Sequence, residues 1–175
     1  SYREDVARLA EADRLAAQYS QAKLFPLAYL RKWGYISAPA RDKAGTVRDL
    51  LSLFGIADLE AFAATWVHAK VAYRKVTLAT DKVYERATWL ALGECASEVD
   101  SLGKFDRSGL EALIPQLRVL TARPNPVEAL GEVTAMLRGV GVAFCLIPPI
   151  PGFGVHGATR WISGRPVVQL SVRGK

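Results

Sequence analysis

Apolar positions fall at intervals of three and four along most of the chain, and only beyond Arg138 does the spacing change to short runs and alternation. Residues 2–22 read as one amphipathic helix. Tyr2, Val6, Leu9, Ala12, Ala16 and Tyr19 form a stripe, and Arg3, Glu4, Asp5, Arg8, Glu11, Asp13 and Arg14 take the other face. A short helix follows from Pro26, suited to a first turn, to Trp33, with Gly34 as its stop. Asp42 or Thr46 opens the next, with Val47, Leu50, Leu51 and Phe54 turned inward and Gly55 closing it. Asp58 caps a helix to about Ala69 that buries Phe62, Trp66 and Leu59. Residues 70–80, with Val71, Tyr73 and Val76, suit strand and helix equally and read as irregular. Helical spacing returns from Asp81 to Val99 through Val83, Ala87, Leu90 and Cys95. Asp106 opens a helix to about Thr121 in which Pro115 should cause a kink or a break. After the break at 123–126, Pro126 begins a helix to Arg138, ended by the glycines at 139 and 141.

The alternating region is short. Residues 142–147 form a buried strand, 148–157 a Pro/Gly loop, and 159–162 and 166–172 flank Ser163-Gly164-Arg165 as a hairpin. The expected fold is α+β and predominantly α: an array of about seven helices, then a small antiparallel sheet of three strands. In chain order this divides into a linker helix (1–23), a helical middle domain (24–122), and a helix with the three strands (123–175).

Composition narrows the function classes. Half of the 175 residues are hydrophobic and 23% are charged, which is ordinary for a folded chain with one core or two small ones. No apolar run nears the roughly 20 residues of a membrane helix, and no signal-peptide pattern opens the sequence. Cys95 and Cys145 have no Cys or His at ligand spacing and read as two buried, reduced thiols of a cytoplasmic protein. The formal charge of +6 is unevenly spread: beyond Glu132 there is no acid, while Arg138, Arg160, Arg165, Arg173 and Lys175 remain. Such a tail suits an acidic segment of the same protein better than nucleic acid, although direct DNA binding through it stays open. The sequence starts at Ser1, its one methionine is Met136, and it stops just after an apolar strand, so it reads as a fragment.

Candidate chemistry is sparse. Gly152-Phe-Gly-Val-His-Gly157 has the letters of a dinucleotide-binding turn, but prolines precede it, a strand follows it, and no acid lies downstream; a tight loop is expected. His68 and His156 lack the company that a zinc site requires. No nucleophile elbow is present, and Glu94 and Glu98 read as a solvated stripe rather than a catalytic pair. The expected catalytic and metal residues of this chain are therefore none, with no cofactor of its own. Thr159, Arg160, Trp161 and Ile162 form the candidate peptide- or partner-binding strand, since an edge strand can hold an extended peptide by backbone pairing. Val168, Leu170 and Val172 alternate into an apolar face that is the candidate dimer or partner surface. Trp33, Trp66, Trp89 and Tyr73 are further aromatic anchors, read chiefly as core.

Three stretches of the tail, GVAFCLIPPIPG at 141–152, VHGATRWI at 155–162 and VQLS at 168–171, resemble the opening strands of an ImmA/IrrE-type metallopeptidase domain. Upstream, FPLAYLRKWGYI at 25–36, LLSLFGI at 50–56 and VAYR at 71–74 resemble the helical middle of a branch that joins an Xre/HigA-type helix-turn-helix to that domain. The resemblance implies a DNA-binding domain before residue 1 and a zinc-binding H-E-x-x-H helix after Lys175; neither lies in these residues, so the family's metal ligands map onto none of them. Zinc is then expected only in the parent protein. What it implies for this chain is a non-catalytic regulatory piece of a bacterial or phage transcriptional regulator or antitoxin-like protein. Its expected partner is a protein, a repressor or a toxin, and it is expected to be a homo-oligomer with no membrane. The alternative is the substrate-aligning part of a zinc peptidase that cleaves a repressor.

Overall fold

A computed structural model describes residues 2–67, 82–123 and 125–171. The irregular stretch read at 70–80, His68, Tyr73, Val172, Arg173 and Lys175 lie outside the described residues. The described residues form two compact units, one from 2–67, 82–91 and 150–154, the other from 92–123, 125–149 and 155–171.

The first unit contains α1 (Tyr2–Ala17), α2 (Tyr19–Ala22), α3 (Leu27–Lys32), α4 (Lys43–Phe54), α5 (Leu59–Phe62) and the first turns of α6 (Val83–Ser97). α5 continues into a π-helical turn, Ala63–Val67. The caps are those the sequence offers. The Asp42 carboxylate accepts from the Gly45 N–H, Asp58 accepts from Ala61, and Gly55 closes α4 in the left-handed conformation. Its core is aromatic: Phe62 lies 4.7 Å from both Phe25 and Phe54, and Tyr84 meets Phe25 edge-on at 5.2 Å. One expectation is corrected here. Tyr2, Val6 and Leu9 are exposed, and the buried residue of α1 is Leu15, on the opposite side of the helix from Val6. The unit grips α1 around Leu15, on the side that the sequence reads as polar, while Ala12 and Ala16 of the expected stripe are partly buried at its flank.

The second unit contains the end of α6, a single 3₁₀ turn (Val99–Ser101), α7 (Arg107–Thr121), α8 (Pro126–Gly139), and strands β1 (Ala143–Leu146), β2 (Gly157–Ile162) and β3 (Arg165–Leu170). α7 packs on α8, and α8 on β1. α7 passes Pro115 as one uninterrupted helix. Pro115 and Glu111, whose carbonyl the ring deprives of its helical donor, are both exposed. Gly141 joins α8 to β1 at φ +73, where a Cβ would stand 2.4 Å from the Lys104 carbonyl oxygen; only glycine fits.

The sheet corrects a second expectation. Its order is β1-β3-β2, with β2 and β3 antiparallel but β1 and β3 parallel, so it is mixed rather than antiparallel. The Pro/Gly connection over 147–156 carries the chain past the centre of the sheet to its far edge. The hairpin then returns β3 into the gap beside β1. The hairpin turn is Ser163–Gly164 with φ of +48 and +73, the type I′ geometry that a two-residue connection favours. The fold is α+β and mainly α, as expected. Among the described residues no helix is long and apolar enough to cross a membrane.

Candidate functional site

Strand register brings the two candidate surfaces together. Thr159 on β2 pairs with Val168 on β3, Gly157 with Leu170, and Trp161 with Pro166. Side chains of directly paired residues share a face, so Thr159, Trp161, Val168 and Leu170 lie on one side of the hairpin. Trp161 is 64% exposed and Leu170 38%, with Val168 half-buried between them. Phe105 meets the Trp161 ring edge-on at 5.4 Å.

The same pleat divides the candidate strand. Arg160 and Ile162 point to the opposite face. Ile162 packs on the cluster of Val99, Leu102, Ala143, Cys145 and Val167. The Arg160 side chain is only 10% exposed, with its Nη1 3.4 Å from Glu94 Oε2. Two of the four residues from 159 to 162 thus anchor the strand, and two present a surface.

β2 is an edge: β3 is its one neighbour in the sheet, and no other strand adjoins it among the described residues. Natural edges are usually guarded by lysine, proline, a bulge or a protruding charge. The six residues of β2, Gly-Ala-Thr-Arg-Trp-Ile, include no lysine or proline, and their one charge is drawn back to Glu94.

Two residues that sequence reasoning passed over set this arrangement. Gln169 on β3 is fully buried, and its amide lies against Gly93 on α6, where a Cβ would come within 1.8 Å of Oε1. Cys145, beside Gln169 in the register, donates its S–H to the Gly93 carbonyl at 3.5 Å. A glycine inside an otherwise good helix and a glutamine in a run of valines were the available signals.

The other candidates resolve as follows. Glu94 and Glu98 are separated by their partners, Glu94 with Arg160 and Glu98 with Arg138 at 3.6 Å, so they do not converge as an acid pair. Cys145 is buried, and burial pushes its thiol up to about 11, with Arg160 opposing weakly. Cys95 is exposed, a correction to its reading as buried: it falls on the open side of the last turns of α6, and desolvation and then the Glu94 charge raise its pKa. His156 is exposed in the loop, and its carbonyl accepts from the Ser171 N–H. Gly152 and Gly154 are left-handed, as a tight loop requires, and Phe153 between them is buried at 6.3 Å from Trp89. Among the described residues no group of three or more His, Cys, Asp or Glu side chains is placed to hold a metal ion.

A shallow hollow of about 210 Å³ in the first unit is lined by Gly34, Tyr35, Ser37, Asp49, Ser52 and Leu53. That is below the usual size of a small-molecule site. Its acid is committed: Asp49 Oδ2 accepts from the Ser37 and Ala38 N–H groups and the Ser37 hydroxyl at 2.8–3.0 Å. Burial alone would raise the Asp49 pKa, but these bonds hold it below the usual carboxylate range.

No protein-family model, no curated protein and no solved structure matches the chain.

Proposed function

We propose that this chain is a non-catalytic interaction module whose β2 edge accepts an extended segment of a protein partner as an added strand. The observation that carries the reading is the unguarded edge: a six-residue strand without lysine or proline, with an exposed Trp161 and the Leu170 face beside it. Backbone pairing along β2 supplies affinity, and alternate side chains of the guest on the Thr159–Trp161 side supply selectivity. A tryptophan with an edge-on support is a good anchor, because little conformational entropy is lost on binding.

The resemblance of the tail to ImmA/IrrE-type domains supports a regulatory setting, in which the guest belongs to a repressor or toxin and the protein works in the cytoplasm. A homo-oligomer belongs to the same reading, since a second copy presents an equivalent edge. The peptidase reading uses the same strand: in a parent protein carrying a zinc helix, β2 would align the peptide to be cut.

Panning a library of random linear peptides against the chain tests the proposal. It is expected to enrich sequences with alternating apolar residues, and Trp161→Lys is expected to lower their retention about tenfold or more. Trp161 is mostly exposed, so the variant should melt as the parent does. Equal retention by both proteins overturns the reading.

A further inference from the structure

The ladder between β2 and β3 fixes which backbone groups of β2 face outward. The Ser171 N–H donates to the His156 carbonyl, and bonded and non-bonded pairs alternate along antiparallel strands. The bonded pairs are therefore Ala158–Gln169, Arg160–Val167 and Ile162–Arg165. Pro166, which has no N–H to give, stands opposite Trp161 in a non-bonded pair, as this phase requires. The N–H and carbonyl groups of Gly157, Thr159 and Trp161 thus point away from β3. Among the described residues no backbone hydrogen bond reaches them.

These three residues are spaced evenly about Thr159. A second β2 laid antiparallel, Thr159 against Thr159, sets each Gly157 opposite the other copy's Trp161, and every facing pair can exchange both of its bonds. A slip of two residues either way leaves one outward residue of each copy beyond the end of the other strand. One of those slips also sets Arg160 against Arg160, like charges directly opposed, whereas the centred register sets Arg160 against Ala158. The side chains match as well. Gly157 has no side chain, and a Cβ there would stand 2.7 Å from Leu170 Cδ2. The indole of one copy can therefore lie across Gly157 of the other and onto its Leu170.

A foreign peptide loses chain entropy when it becomes a strand, while a second copy arrives with its edge already ordered. On the reading of β2 as an unguarded edge, on which this step rests, we infer that a second copy of the chain pairs with β2 in the Thr159-centred register and that a guest strand must displace it. One short strand per copy is a small interface, so the pair is weak and transient, with Kd roughly 0.1–1 mM. At low micromolar concentration the edge is open to a guest.

Sedimentation equilibrium of the whole chain from about 10 μM to about 1 mM is the test. The weight-average mass is expected to start near that of one chain and rise about 1.5- to 1.8-fold. In an equal mixture of isotope-labelled and unlabelled chain, an intermolecular NOE between the Cα protons of Ala158 and Arg160 is expected, because these residues face each other in a non-bonded pair. Thr159→Pro removes an N–H that β3 does not use, so it should melt as the parent does yet stay a single chain at about 1 mM. Trp161→Lys, a second variant, should weaken the pairing about fivefold or more. A mass that does not rise, a rise that both variants leave unchanged, or an NOE pattern from another register overturns self-pairing. If the mass stays flat while a selected peptide still protects β2 from amide exchange, self-pairing falls and the guest reading stands. If the mass rises and no peptide protects β2, the guest reading falls instead.

Discussion

At the scale of residues, small side chains in the second unit set what larger ones do. Gly93 has no side chain, so the Gln169 amide can lie against the α6 backbone. Gly93→Ala forces that amide out of a fully buried position and is expected to cost about 1–3 kcal/mol, read as a lower melting temperature. If the steric account holds, adding Gln169→Ala returns part of the loss. A double variant no more stable than the additive sum would deny the contact. In the first unit, Asp49 is the titrating counterpart. Its pKa is lowered in the folded state, so its contribution is complete above the ordinary aspartate range and disappears as pH falls through the depressed value. Asp49→Asn should therefore be less stable than the parent near neutral pH by about 1 kcal/mol. The gap should close in strong acid, and thermal melts at a series of pH values would show whether it does.

At the scale of elements, much of the architecture was legible because caps and turns are local chemistry. Asp42, Asp58 and Asp106 each cap the helix they precede, and Gly34, Gly55 and Ser163-Gly164 each end an element with positive φ. Three features were illegible for physical reasons. The side on which a helix is gripped depends on its neighbours, so Leu15 rather than the Tyr2–Val6–Leu9 stripe is buried in α1. Parallel or antiparallel pairing depends on where a loop delivers the chain, and an apolar run such as that of β1 is the same in either case. Proline effects depend on solvent access to the displaced carbonyl, which the exposed Glu111 provides.

The candidate surface shows the same division. Trp161 and Leu170 could be named from alternation alone. That they share a face, and that Arg160 turns away to Glu94, needed the register. This is why two surfaces named separately in the sequence merge into one on the hairpin.

At the scale of the whole molecule, charge is placed differently from its count along the chain. The tail beyond Glu132 has no acid of its own, yet it contributes Arg138 and Arg160 to ion pairs with Glu98 and Glu94 within the second unit.

The claim on which the functional account turns is that β2 gains a neighbour when a partner binds. Amide hydrogen exchange across residues 157–162, measured with and without a peptide selected on the chain, addresses it directly. The outward amides of β2 should exchange quickly in the chain alone and slow by about tenfold or more in the complex. Unchanged exchange along β2, with protection appearing on some other element, would contradict the account.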